Sequence, residues 1–384
     1  MTRRILITGA RAPVAIDLAR SFDAAGYEVH LADSVVPWAA KWSRVGSGRV
    51  HRLPPARWAF DDYAAALSAS VTTLDVELVI PTCEEVFYVA AAAAQRGFAD
   101  RTFAPGLQTL RTLHSKISFA QLARSVGLSA PQTWAVANAQ ELASLPLPAE
   151  QLVFKPEYSR FGTATLIRPD SKRLARINFA DGQVWAAQRF VEGTEVCLWS
   201  AAVRGRVVAS AAYRPAWRFG HAASYAFEQF HHPAVEAVAT RVAAETEMTG
   251  HLSFDIILSP QGEAVPIECN PRAVSGLHLF DGSAALAHAL MGEGPPLQPP
   301  PGLRYLAPAM LVLGAPSAIA SGRWGEFLAD WQRGADVLGR PGDRLPAVGA
   351  LVDAARFAMA GLKGRRSAAG QSTDDIEWNG EALP

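Results

Sequence analysis

The chain has 384 residues, with 36 Lys+Arg against 36 Asp+Glu and a formal net charge of zero. That balance argues against a nucleic-acid-binding module, which carries a basic excess or stripe, and against polybasic docking on a membrane. The length provides for two or three domains with ample core. Only five of the 36 basic residues are lysine (Lys41, Lys116, Lys155, Lys172 and Lys363), so a lysine at a chemically useful position is informative.

Met1-Thr-Arg-Arg runs straight into an apolar strand, Arg4 to Thr8, with no apolar leader or cleavage site; the expected location is the cytoplasm. The longest contiguous apolar stretches fall far short of the roughly 20 residues that span a bilayer, so no membrane contact is expected. Cys83, Cys197 and Cys269 have no CxxC spacing, which supports neither a disulfide framework nor a zinc site. The strand is followed by a helix over Ala12 to Ala25, a second strand from Tyr27 to Ala32 ending at Asp33, a third from Glu77 to Pro81, and a helix from Glu85 to Arg96. Alternating strands and helices predict a parallel sheet with crossover helices. Thr102 to Pro105 reads as a further short strand.

A helix from Ser115 to Val126 has Ser115 as N-cap and Gly127 just past its end. Beyond residue 130 the pattern changes to antiparallel ribbons: Leu152 to Glu157 with Thr163 to Arg168, Glu195 to Val203 with Val207 to Tyr213, and Leu252 to Leu258 with Ala264 to Cys269. A helix over Ala234 to Thr246 separates the last two pairs. After Met291 a Gly/Pro-rich connector leads to two tail helices, Gly325 to Arg333 and Ala347 to Leu362. Lys363 to Thr373, small and polar, is expected to be mobile. The acidic, aromatic ending Asp374 to Trp378 either docks back on the body or contacts a partner.

The first loop, Thr8-Gly-Ala-Arg-Ala-Pro13, sits where a dinucleotide fingerprint belongs, with Asp33 at the place of a ribose-binding acid. Only Gly9 of the required glycines is present, and Pro13 removes a backbone donor. The expectation is a Rossmann-like sheet that does not bind NAD, with Asp33 as a strand-end or capping residue. An NAD-dependent dehydrogenase is the weakest functional reading.

Four later features occur in order. Lys116 opens a helix; Lys155 ends the apolar strand Val153-Phe-Lys-Pro156, followed by a loop with Ser159-Arg-Phe-Gly162; then comes Gln188-Arg-Phe-Val-Glu-Gly-Thr-Glu195; last, Ser253-Phe-Asp255 pairs with Ile267-Glu-Cys-Asn-Pro-Arg272. Hairpin pairing places Asp255 near Glu268, and residues two apart share a face, so Glu268 and Asn270 point the same way. Two carboxylates and an amide oxygen form an oxygen-only set suited to Mg²⁺, with Mn²⁺ also accommodated. The alternative, a structural ion pair with Arg272, leaves such buried-strand acids costly to retain.

This ordered set resembles the ATP-grasp superfamily, in particular its branch similar to carbamoyl-phosphate synthetase and biotin carboxylase, over about residues 1 to 290. The resemblance implies an α/β fold, α+β in its centre. An N-terminal Rossmann-like unit (1–112) would precede a small lid subdomain (113–185) and a large subdomain with the metal site (186–295), followed by a C-terminal helical extension (296–384). It implies that Lys116 and Lys155 contact the α/β-phosphates or adenine of ATP, that Ser159, Arg160 and Gly162 belong to a phosphate lid, and that Phe190 and Val191 meet adenine through their backbone. Gln188 would accept from the adenine amino group and Glu195 from the ribose hydroxyls, although Glu195 also reads as an exposed strand residue. Asp255, Glu268 and Asn270 would hold Mg²⁺, and Arg272 would steady the transferred phosphoryl group, a role that suits its planar fork.

The activity implied is an ATP-dependent carboxylate–amine ligase working through an acyl phosphate. The implied partners are a small-molecule carboxylate and an amine, amino acids among them, with a homodimer as a further expectation. Competing readings are a bicarbonate-activating enzyme of carboxyphosphate type and a catalytically inactive ATP-binding module. For substrate, Glu84 or Glu85 at the carboxyl end of the third strand is placed to hold an ammonium group, or simply to favour a helix N-terminus. Arg214 or Arg218 is a partner for an acceptor carboxylate, and Ser275 with Gly276 offers backbone groups to the acceptor.

Overall fold

A computed structural model describes residues 2–159, 164–179, 182–218, 224–364 and 367–383. The N-terminal unit carries a parallel sheet of β1 (Arg4–Thr8), β2 (Glu28–Asp33), β3 (Val50–Arg52) and β4 (Leu78–Pro81) in the order β3-β2-β1-β4. β1, β2 and β4 are short, largely apolar runs buried on both faces by crossover helices, as parallel sheets require, while the edge strand β3 is partly exposed. The strand order reverses between β1 and β4, so the crevice at the carboxyl ends of these strands is where such sheets take ligands. The helix Pro13–Ala24 starts with proline at its first position, where the missing amide is no loss.

A second sheet, antiparallel throughout, contains β5 (Thr133–Val136), β6 (Leu152–Pro156), β7 (Leu166–Ile167) and β8 (Trp185–Arg189) in the order β5-β8-β6-β7. The third is a seven-stranded sheet: β9 (Thr194–Val203), β10 (Arg206–Arg218), β11 (Ser224–Gln229), β12 (Gly250–Leu258), β13 (Ala264–Asn270), β14 (Leu303–Tyr305) and β15 (Ala335–Asp336), in the order β13-β12-β9-β10-β11-β14-β15. The turn between β9 and β10 places Arg204 and Gly205 at φ 47° and 75°, the left-handed pair that matches strand twist in a two-residue hairpin. The helix Pro233–Thr246 packs on one face of this sheet, and its Val235, Val238, Ala239 and Val242 are fully buried there.

Four expectations are corrected. Thr102 to Pro105 is not a strand: a 3₁₀ turn over Ala99–Arg101 leads into it, and one bridge from Thr102 to Val79 is all the pairing it makes. The C-terminal stretch is not purely helical, because β14 and β15 extend the large sheet. Residues 367–373 are ordered by the helix Ala368–Thr373, whose Ser367 hydroxyl accepts from the Gly370 amide while Thr373 is buried; Arg365 and Arg366 lie outside the described residues. Finally, the helix Leu345–Gly364 contains a 19-residue stretch long and apolar enough, by length and composition, to cross a bilayer. The charges of Asp353 and Arg356 break its contiguous apolar run in sequence, and Asp353 is turned inward, accepting from the Trp38 and Ala39 amides at 3.2 and 3.0 Å. The outward side exposes Leu345, Val348, Leu351 and Leu362.

Candidate active site

The site forms where three elements meet. The helix Lys116–Ser125 is started by Ser115, whose hydroxyl accepts from the Ser118 amide, and this fixes Lys116 in the first turn. Lys116 is not a solvated helix lysine: it is 2% exposed, and its Nζ donates to the carbonyls of Glu157 and Ser159 at 3.4 and 3.2 Å. Lys155, near the end of β6, is buried as well. Both ammoniums converge on one carboxylate, with Lys116 Nζ 3.7 Å from Glu268 Oε1 and Lys155 Nζ 3.8 Å from Glu268 Oε2.

The third element is the β12/β13 ribbon. Asp255 is the cross-strand partner of Glu268, and Ser253 of Asn270, so the register expected from the sequence holds. The Asn270 amide donates to Glu268 at 3.4 Å. Its side-chain oxygen is buried without a hydrogen-bond partner among the described residues, an arrangement that costs stability unless another group completes it. Burial and the neighbouring Glu268 push the Asp255 carboxyl up to about 6. Burial pushes Glu268 up too, but the Lys116 and Lys155 ammoniums outweigh it and hold Glu268 below the usual carboxylate range. For Lys116, burial dominates and draws the ammonium below the ordinary lysine value against the pull of Glu268.

Arg272 follows two residues after Asn270, and the Ser253 hydroxyl clamps its backbone carbonyl at 2.6 Å. Its guanidinium Nε donates to Glu84 Oε1 at 2.7 Å, a contact between the N-terminal unit and the large sheet. Glu84 thus faces Arg272. Glu85, beside it, accepts from the Thr8 hydroxyl at 2.8 Å and the Thr82 amide at 3.1 Å. Gly9 is left-handed at φ 66°, and a Cβ there would lie 2.5 Å from Glu85 Oε1. The lone glycine of the first loop is therefore required by Glu85.

The remaining candidates distribute unevenly. Gln188, in β8, is buried and directs its amide nitrogen toward the Ile267 carbonyl at 3.4 Å, next to the acid pair. The Phe190 amide is donated to the Gln151 carbonyl, and the Arg168 guanidinium lies 5.2 Å over its ring; Val191 follows, half-buried. Glu195 bonds Arg218 at 2.8 Å, which joins two residues assigned separately from the sequence. Arg214 is exposed and lies over Phe230. Ser275 is half-buried, while Gly276 packs so closely on Trp199 that a Cβ would sit 2.6 Å away. The Ser159 hydroxyl turns back to the Pro156 carbonyl, and Arg160 and Gly162 lie outside the described residues.

One participant carries no sequence signal, and a second, the acidic, aromatic ending, resolves to docking on the body. Cys197 on β9 is the other cross-strand neighbour of Asp255, its Sγ 3.6 Å from Asp255 Oδ1. The C-terminal segment 374–381 runs past the lid loop, where Trp378 meets Tyr158 edge-on at 4.8 Å. A cavity of about 1120 Å³ lies beside this segment, lined among others by Arg57, Glu157, Tyr158, Ser159 and Gln183; Lys116, Lys155, Asp255, Glu268 and Glu84 do not line it.

With this geometry in view, the fold is the ATP-grasp fold. The chain superimposes on L-amino acid ligase from Bacillus licheniformis with a TM-score of 0.55 at 16% identity, over 77% of this chain and 75% of that one. N5-carboxyaminoimidazole synthetase from Staphylococcus aureus, in complex with ADP, gives a TM-score of 0.63 at 12% identity over 84% and 87%. Biotin carboxylase from Campylobacter jejuni gives 0.58 at 15% identity over 79% and 74%. No family model and no curated protein matches the chain.

Proposed function

We propose that the chain is an ATP-dependent carboxylate–amine ligase that forms an amide through an acyl phosphate. The observation that carries this reading is the convergence of Lys116, Lys155, Glu268, Asp255, Asn270 and Arg272 from three separate elements. Three cations facing hard oxygen ligands is what a bound triphosphate with a divalent cation demands. The unpartnered Asn270 oxygen and the two carboxylates fit Mg²⁺, or Mn²⁺, in donor type. Asp255, Glu268 and Asn270 would hold such an ion, which would offset the negative charge of the phosphates.

The chain's own residues do the rest. Lys116 and Lys155 supply cations to the phosphates. Gln188, the Phe190 carbonyl and Val191 offer the adenine edge its partners, and Glu195 offers the ribose hydroxyls an acceptor. Arg272 directs its fork at the phosphoryl group in flight. A carboxylate oxygen attacks the γ-phosphorus and ADP leaves. The amine nitrogen then adds to the acyl carbon, the C–O bond to phosphate breaks, and the amine proton departs with phosphate or solvent. For the acceptor's carboxylate we assign Arg218 over Arg214, because Arg218 reaches Glu195 whereas Arg214 lies on Phe230. The cytoplasmic location and small-molecule partners belong to the same reading, as do the domain limits 1–112, 113–185, 186–295 and 296–384, with the second boundary moved beyond β8, which pairs with β5 and β6.

The test is ADP release with Mg²⁺-ATP and pooled amino acids and small carboxylates, with amide products read by mass spectrometry. Absence of Mg²⁺-nucleotide binding by calorimetry would end the reading. Release that requires bicarbonate, with no amide formed, would move it to carboxyphosphate chemistry.

A further inference from the structure

We infer that Glu84, on the loop after β4, is a positioning residue that sets the orientation of Arg272; this rests on the ligase reading above. An arginine side chain has several free torsions, and a single charge-assisted bond at Nε fixes the plane of the guanidinium. Here Nε is bound to Glu84 at 2.7 Å, and Nη1 makes only a 3.5 Å approach to the Ala273 carbonyl. Among the described residues Nη2 makes no hydrogen bond, which leaves it available to a ligand. Glu84 itself has a side-chain exposure of 2%, against 19% for Arg272, so the anchor is buried and the anchored group reaches toward the opening. The anchor's own loop is held in turn: Glu85 ties Thr8 and Thr82, and the Thr82 hydroxyl donates to the Thr8 carbonyl at 2.8 Å. The N-terminal unit, whose first loop lacks a dinucleotide fingerprint, therefore acts on the reaction through one carboxylate.

The experiment compares the full chain with Glu84→Gln, Glu84→Asp and Arg272→Lys, and with the double variant Glu84→Gln/Arg272→Lys. If Glu84 orients Arg272, Glu84→Gln lowers kcat by about 10-fold to 100-fold while KM for ATP stays within about twofold, and Glu84→Asp restores part of the loss. On the Arg272→Lys background Glu84→Gln adds nothing further, because the effects of two residues acting as one unit do not add. Calorimetry gives a second reading that needs no turnover: Glu84→Gln lowers affinity for Mg²⁺-ADP with aluminium fluoride, a mimic of the phosphoryl group in flight, relative to Mg²⁺-ADP alone. Multiplying losses in the double variant, or equal loss of affinity for Mg²⁺-ADP with and without aluminium fluoride, overturns the inference while leaving the ligase reading intact. Failure of the unaltered protein to bind Mg²⁺-ADP in either condition overturns both.

Discussion

The molecule contains two polar crevices at the ends of strands, and they are finished in opposite ways. In the N-terminal unit, Arg11 is clasped between Asp33, at 2.5 Å, and Asp375 of the C-terminal segment, at 2.6 Å. Ser34 also donates to Asp375, and Ile376 helps close the remaining space to a cavity of about 10 Å³. Trp378 stacks on Phe87 at 4.6 Å, and Arg57 bridges Glu377 and Glu381. The central cleft shares charged groups equally freely, but there two lysines divide one carboxylate and the Asn270 oxygen is left over. Both crevices keep buried polar atoms without a hydrogen-bond partner among the described residues, the Tyr63 hydroxyl and Glu85 Oε2 in the first and Asn270 Oδ1 in the second. What separates them is occupancy: the first is filled by the chain's own Asp375 and Ile376, whereas in the second two carboxylates and an amide oxygen face two lysines.

That contrast can be broken. The largest expected effect is on chemistry: Glu268→Gln lowers ADP release by about a thousandfold, with a folded far-UV spectrum retained. Next, Trp378→Ala destabilises the protein by about 3–5 kcal/mol, the usual cost of emptying a buried tryptophan site, measured by denaturant titration. Asn270→Ala does the reverse in the other crevice: activity falls, but stability holds or rises, since an unmatched buried oxygen costs about 1–3 kcal/mol. Acid provides a further division. Burial alone would raise the Asp375 carboxyl, but its bonds to Arg11 hold it below its ordinary value of 3.8. Its contribution is therefore complete above 3.8 and disappears only as pH falls through the lower, docked value. Trp378 fluorescence should stay constant from neutral pH to about pH 5 and change only in stronger acid; a transition near neutrality would refute the sealing pair. The smallest effect is Arg218→Ala: its half-exposed bond to Glu195 contributes about 0.2–1 kcal/mol, so a melting curve barely moves.

What could be read in advance follows from how local each signal is. β1, β2 and β4 of the parallel sheet and the β9/β10 and β12/β13 hairpins are largely apolar runs bounded by turn residues, and hairpin pairing places Asp255 opposite Glu268; β3, only Val-His-Arg, gives no such signal. Lys155 was legible because a lysine is rare in this chain. The Glu84–Arg272 contact spans 188 residues, and no spacing rule connects two loops so far apart. Glu84 and Glu85 look alike in sequence, yet one faces Arg272 and the other fills the space beneath Gly9. β8 was missed as the central strand of the lid because only its pairing with β5 and β6 distinguishes it from a connector. The short helix before the tail was read as mobile since its composition is small and polar. Its order comes from distant neighbours: Arg11 donates to the Ser372 carbonyl at 2.8 Å.

The sealing of the first crevice by Asp375, Ile376 and Trp378 bears on how the protein is made. A ribosome delivers the parallel sheet well before these three residues. Arg11 and Asp33 thus wait through more than three hundred residues for their third partner. During translation the nascent N-terminal unit carries an open, charged groove that the finished molecule does not have, and it is then that a chaperone would find it.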